Sequence, residues 1–252
     1  LPGQVIAPLR ETLPDGQRFV MGRVEDVDVA RRRLALAADG GGPGGTIDYD
    51  HLVLALGARA RLDLVPGLAE HAIPLKLIGD AMAVRNAVVA RLERADHESD
   101  PEERRRLVHF VVIGGGFSGV EVAGEIHDFI RAARRLYPHV GADEPRVSVV
   151  HAGGRLLPEL PETLAVRARE SMTSRGIGVH LDSKAKSADA QGLAVEESDG
   201  RRRRIDAGLL VSTIGTSPNP LVERIGLPTE GGRVVVRPDL SVEGAEGVSV
   251  GN

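Results

Sequence analysis

Residues 107–137 carry the feature that most restricts the fold: LVHFVVI, then GGGFSG, then a stretch whose apolar residues fall at steps of three and four. LVHFVVI (107–113) reads as a strand running into the glycines. Phe117, Val120, Ala123, Ile126, Ile130, Ala133 and Tyr137 read as one face of a helix over 117–137. Between them the glycines are spaced Gly114-x-Gly116-x-x-Gly119, with Gly115, Phe117 and Ser118 in the gaps. A turn of this spacing, after a strand and opening a helix, is the fingerprint of a dinucleotide pyrophosphate site. Gly114 is expected to allow the tight turn, Gly116 to admit the pyrophosphate to the backbone, and Gly119 to let helix and strand pack closely. Free N–H groups at the helix start then face an anion.

The surrounding pattern places this unit in an α/β protein. RVSVVH (146–151) is a predicted strand and PETLAVRARESMTSRG (161–176) a helix closed by Gly176. With the two preceding elements they make a βαβα unit of a parallel, doubly wound, Rossmann-like sheet. Upstream, 80–95 is a predicted helix with Asp80 as N-cap and Met82, Val84, Val88, Val89 and Leu92 turned inward. DHESDPEERRR (96–106) is a polar connector with one helical turn after Pro101. Short strands at 19–24, 32–37 and 46–58, separated by the glycine-rich turn 39–45, predict a small antiparallel element. Further short strands are expected at 177–181, 193–197 and 203–206, and Arg201–Arg204 beside Gly200 read as a solvated hairpin turn. AGLLVSTIG (207–215) echoes LVLALG (52–57): each is an apolar strand ending in a lone glycine, Gly215 and Gly57.

Composition narrows the chemistry. The chain has no cysteine, which excludes thiol nucleophiles, redox disulfides, cysteine-ligated zinc and iron–sulfur clusters. The eight histidines form neither H-E-x-x-H nor a helical i, i+4 pair, which argues against a metal site. A net charge of −4 gives no case for a nucleic-acid partner. No run approaches the ~18 apolar residues of a spanning helix, and LPGQVIAPLR lacks the layout of a signal peptide, so a cytoplasmic setting is expected.

The second strand of such a unit usually ends in an acid that bonds the adenosine ribose. Here His151 stands in that place, followed by Gly153, Gly154 and Arg155. Histidine can bond a ribose hydroxyl without repelling a 2′-phosphate as a carboxylate would, and Arg155 could contact such a phosphate. NAD(H) is the expected ligand, and NADP(H) remains open.

GGGFSGVEVAGEI, YDHLVLALGA and STIGTSPNPL together resemble the two-dinucleotide-domain flavoproteins, and among them the type II NADH dehydrogenases, the non-proton-pumping NADH:quinone oxidoreductases. IAPLRETL (6–13) and GRLLPELPETL (154–164) add to the resemblance, which runs over essentially the whole chain. It implies an NAD(P)-binding domain at 76–204 inserted in an FAD domain made of 1–75 and a return segment, 205–252. It implies hydride transfer from NADH to FAD and electron passage to a quinone-type acceptor. Glu121 matches a carboxylate near nicotinamide and flavin, a positioning role; as a residue alone it is an ordinary early-helix acid. Gly215 matches a backbone position bordering the nicotinamide, Gly57 and Gly215 mark the crossings between domains, and Pro218 and Asn219 shape a loop.

Two departures stand beside these matches. The chain opens at LPGQVIAPLR without the strand and G-x-G-x-x-G with which the family binds FAD, and Asn252, in VSVGN, occupies the place of a family acid that contacts the flavin. The chain therefore reads as an interior piece of a longer flavoenzyme, with FAD bound in the complete protein. Membrane contact, peripheral and on the cytoplasmic face, would come through a region outside it, and a homodimer is left open. A reductase of ferredoxin or another acceptor, or a non-catalytic NAD-binding protein without flavin, are the alternative readings.

Overall fold

The computed structural model describes residues 7–38, 42 and 44–251. In chain order the first elements are α1 (Leu9–Thr12), β1 (Val24–Asp28), β2 (Arg33–Leu36), β3 (Gly45–Asp48), β4 (Leu52–Leu54) and β5 (Ala58–Ala60). Then follow α2 (Leu68–His71), β6 (Ala72–Pro74), α3 (Ile78–His97), α4 (Pro101–Leu107), β7 (His109–Ile113), α5 (Phe117–Ala133), β8 (Arg146–Val150), α6 (Glu162–Ser174) and β9 (Gly178–His180). The remainder is β10 (Ser183–Asp189), β11 (Gly192–Glu197), β12 (Arg202–Asp206), β13 (Leu209–Ser212), β14 (Thr216–Pro218), α7 (Leu221–Ile225), β15 (Thr229–Glu230), β16 (Arg233–Val234) and β17 (Val248–Val250).

These elements form two compact units, one of residues 60–215 and one of the residues before and after it. The larger unit begins earlier and ends later than the expected 76–204. The cause is strand pairing: β6 and β13 both join its five-stranded sheet, in the order β6-β13-β7-β8-β9. All four pairings in that sheet are parallel.

Strand β7 is buried along its whole length, as its apolar run requires. Phe110 and Val112 face one core, shared with Val84, Val88 and Leu92 of α3 and with Ala123, Ile126 and Ile130 of α5. Val111 and Ile113 face a second core with Leu193, Val195 and Ile205 of the antiparallel sheet β10-β11-β12. Helices thus cover one face of the parallel sheet and a small antiparallel sheet the other. Each fully buried Leu, Ile, Val or Phe here contributes about 1.5–3 kcal/mol relative to exposure, which is why the period-two strand and the 3.6-period helices lock in register. Among the described residues no helix is long and apolar enough to cross a membrane.

Local chemistry shifts several expected boundaries. Asp80 is not the N-cap of α3. It lies inside the first turn, where its carboxylate accepts the Lys76 and Leu77 N–H groups at 2.8 Å each. Met82 is 47% exposed, so the inward face of α3 is Val84, Val88, Leu92 and Ala95. The single turn expected after Pro101 is a seven-residue helix, capped by Asp100, which accepts the Glu102 N–H at 2.9 Å. The expected strand 46–58 is broken into β3, β4 and β5, and β10 was not anticipated at all. Of Arg201–Arg204, three lie in strand β12, and all four pair with carboxylates of Glu196, Glu197, Asp189 or Asp206.

In the smaller unit β1, β2 and β3 form an antiparallel meander, and β4 pairs in parallel with β17, Leu52 opposite Val248. Its core is Leu54, Leu227, Val242, Ala245 and Val248. The turn 39–45 falls partly outside the described residues.

Candidate functional site

The sheet order sets the position of the site. From β7 the chain proceeds through α5 to β8 on one side, while β13 lies on the other. The carboxyl ends of β7 and β13 therefore flank a topological switch point, where open α/β sheets bind ligands. GGGFSG leaves β7 there, and Thr213 leaves β13 there.

Each glycine of the turn meets a different constraint. Gly114 has φ +119° and its N–H is bonded to the Val150 carbonyl at 2.8 Å, which ties the turn to β8. A Cβ at Gly119 would collide with the Gly114 carbonyl oxygen and crowd Thr213 Oγ1, so helix and turn meet backbone to backbone. At Gly115 a Cβ would come within 2.7 Å of the His151 ring and 2.8 Å of Leu156. Gly116 differs: a Cβ there meets nothing within 4 Å. The protein packs against the turn at 114, 115 and 119 and leaves 116 open. No side chain caps α5, so the N–H groups of its first turn have no side-chain acceptor. Phe117 is 49% exposed and Ser118 is exposed, so Phe117 is not part of the buried helix face.

His151 lies beside this turn. Its Nδ1 accepts the Gly115 N–H at 3.2 Å, so the ring is neutral with its proton on Nε2. Burial lowers the affinity of the ring for a second proton, partly offset by the carboxylates of Glu159 and Asp182. The main chain of His151 is fixed on both sides, its N–H to the His180 carbonyl and its carbonyl to the Ser183 N–H, each at 2.9 Å. Arg155 is exposed and turned onto its own loop, donating to the Pro158 carbonyl at 2.6 Å.

The remaining candidates are dispersed. Glu121 is on the second turn of α5, exposed, with no hydrogen bond or ion pair. Gly215 follows β13, with its carbonyl accepting the Arg61 N–H at 3.1 Å and Leu64 filling the place of a side chain. Gly57 belongs to the smaller unit, where Asn219 Nδ2 donates to the adjoining Leu56 carbonyl at 3.4 Å. Asn252 lies outside the described residues.

Two contributors escaped the sequence reading. Thr213 bonds the Ile113 carbonyl through both its N–H, at 2.9 Å, and its Oγ1, at 3.0 Å, and so forms the wall behind Gly114 and Gly119. Its place in STIG, two residues before Gly215, was the available signal. Leu157, with φ +48°, donates its N–H to the Gly115 carbonyl at 2.8 Å; nothing in the sequence marks it.

Comparisons with known proteins agree with this architecture. Type II NADH:quinone oxidoreductase Ndh of Mycobacterium tuberculosis is 30% identical over 256 residues, covering 98% of this chain and 55% of that protein. The mitochondrial external alternative NAD(P)H-ubiquinone oxidoreductase B2 of Arabidopsis thaliana is 32% identical over 211 residues, covering 81% of this chain and 36% of that protein. The chain thus spans about a third to a half of the length of these relatives. NDH2 of Plasmodium falciparum, solved in complex with NADH, superposes with a TM-score of 0.83 at 22% identity, over 91% of this chain and 48% of that one. Residues 6–251 match the profile described as pyridine nucleotide-disulphide oxidoreductase. On the glycine turn, the sheet order and this match, the chain belongs to the pyridine nucleotide-disulphide oxidoreductase family.

Proposed function

We propose that the turn 114–119 holds the pyrophosphate of NADH, and that the chain is the nucleotide-handling part of an NADH:quinone oxidoreductase that also uses FAD. The observation that carries this reading is the contrast between Gly119, closed against Gly114, and Gly116, open to any partner within 4 Å. A turn built only for packing has no need to leave its central residue bare at a helix N-terminus. A pyrophosphate needs that: close access to the backbone and unshared N–H donors. The names of the relatives support the activity, and the solved NDH2 complex supports the ligand.

NADH at this turn would supply a hydride, which FAD would accept and pass as electrons to a quinone-type acceptor. The chain's own part is placement. The first-turn N–H groups of α5 hold the phosphates, and Thr213 and Leu157 fix the turn that carries them. His151 offers its Nε2–H to the adenosine ribose, and Gly215, after β13, offers backbone beside the nicotinamide. Glu121, unpaired on the exposed side of α5, positions the reacting ring. Gly57 and Asn252 are the positions assigned to the FAD side. On this reading residues 60–215 are the NAD(P)-binding domain, and the other unit belongs to the FAD domain. Attachment to a membrane surface and a homodimer belong to the same proposal.

Titration of the protein with NADH, followed by the nicotinamide fluorescence, tests the ligand. Saturable enhancement at a one-to-one ratio is expected. NADH-dependent reduction of a soluble quinone by the complete protein that contains this segment, with FAD bound, then tests the activity. NADH binding by this chain with no flavin binding or quinone reduction by the complete protein would leave a nucleotide-binding protein and refute the oxidoreductase reading.

A further inference from the structure

A second cleft lies at the opposite end of the parallel sheet, near the amino terminus of β8, where no dinucleotide is expected. It has a volume of about 430 Å³, within the range of small-molecule sites. Ile130, Pro145 and Val147 give it an apolar floor, and His127, Arg131 and Arg134 supply its polar groups. His127 Nε2 is buried without a hydrogen-bond partner, an arrangement rare in folded proteins unless a water or ligand completes it. Arg131 and Arg134 are exposed and make no ion pair.

The nearby acids do not neutralise this cluster. Asp128 is paired with Arg175. Glu144 accepts a two-pronged hydrogen bond from Arg104 Nε at 3.0 Å to each oxygen, and also the Gly141 N–H at 2.7 Å. Asp143, in the same loop, is exposed and outside the lining. Arg131 and Arg134 therefore line a half-apolar cleft, with the His127 ring in its wall and no carboxylate among the lining residues.

We propose that this cleft binds a small organic anion, a carboxylate or phosphate carried on a compact apolar body, at a site separate from the dinucleotide turn. The planar forks of Arg131 and Arg134 match either oxyanion, and the His127 ring stands in the wall beside them. Val147 and the residues of the apolar floor accept the body of the molecule. The site shares no residue with 114–119 or His151, so its occupant is not the nicotinamide cofactor.

Phenyl phosphate, benzoate and benzyl alcohol, titrated separately by calorimetry, test this. Both anions are expected to bind at one site at least tenfold more tightly than the neutral alcohol. Arg131→Gln with Arg134→Gln should weaken both anions tenfold or more, with NADH affinity unchanged. Both arginines are exposed, so the double variant should fold, and an unchanged melting temperature would verify it. NMR titration of the His127 ring gives a second readout. Burial, Arg175 and Arg131 now hold its pKa below the ordinary value against the pull of Asp128, and a bound anion should raise it. Equal binding of anions and alcohol, retained affinity in the double variant, or an unmoved His127 resonance would each overturn the proposal.

Discussion

The Gly115 N–H donates to His151 Nδ1 at 3.2 Å, so the residue that replaces the usual ribose-binding acid is fixed by the same turn that faces the phosphates. The ring is thereby confined to its Nε2–H form, a donor that does not repel a 2′-phosphate. The account predicts weak discrimination between NADH and NADPH, at most about tenfold or ~1.4 kcal/mol. His151→Glu should create a clear NADH preference by bonding the ribose diol and repelling the phosphate. Binding of both nucleotides to both proteins, at one fixed ionic strength, is the check. A wild-type preference for NADH of a hundredfold or more would remove His151 from this role.

A second buried histidine gives a stability signature. His109 Nδ1 donates to the Asp206 carbonyl at 2.7 Å and its Nε2 accepts from Ser148 Oγ at 2.9 Å. Burial first, then the charge of Arg146, lowers its pKa from 6.5 to about 4. The unfolded chain therefore binds the proton first as pH falls. Stability attributable to His109 is intact above about pH 6.5 and is lost progressively down to about pH 4, by roughly 3 kcal/mol. Urea unfolding at pH 7 and pH 4.5 should show a smaller loss in His109→Gln, which keeps a donor and an acceptor but does not titrate there. Equal losses in the two proteins would contradict the assignment.

The glycine turn separates packing from access. Gly119→Ala must displace the Gly114 backbone and is predicted to destabilise the fold by about 1–3 kcal/mol. Gly116→Ala, placed in open space at φ −79°, should leave stability within about 1 kcal/mol of wild type. Thermal unfolding of the two variants checks the order, and similar losses would show that the turn is not divided in this way.

Much of this was legible in the residues. The apolar run of β7 and its glycine spacing gave the strand, the turn and the helix because backbone requirements at 114 and 119 leave glycine no substitute. The alternation of Phe110 and Val112 against Val111 and Ile113 was hidden, since a strand buried on both faces shows no polar–apolar period. Asp80 was misplaced because a carboxylate at either end of the first turn leaves the same sequence signal. Phe117 and Met82 fit the apolar period yet are exposed, and period alone does not say where the core stops. Leu157 was illegible as part of the site, and Thr213 offered only its place before Gly215 as a signal, because what they contribute is main-chain geometry and long-range contact.

One partly buried ion pair ties α4 to the loop before β8. Arg104 and Glu144, with side chains 21% and 13% exposed, share a bidentate contact. The guanidinium holds the Glu144 carboxyl below the usual range, with burial opposing it. Glu144→Gln should cost about 1–2 kcal/mol, between the values for exposed and fully buried pairs, and lower the melting temperature by a few degrees. A calorimetric scan showing no shift would mark the pair as energetically neutral.

The central claim is that the pyrophosphate of NADH lies against the open face of Gly116. Isothermal titration of NADH into wild type and Gly116→Val measures it directly. A Cβ at 116 meets nothing within 4 Å in the protein alone, so the valine variant is expected to fold as wild type does, as equal melting temperatures would verify, while losing NADH affinity by at least thirtyfold, about 2 kcal/mol. Equal affinities in two equally stable proteins would place the nucleotide elsewhere and contradict the account.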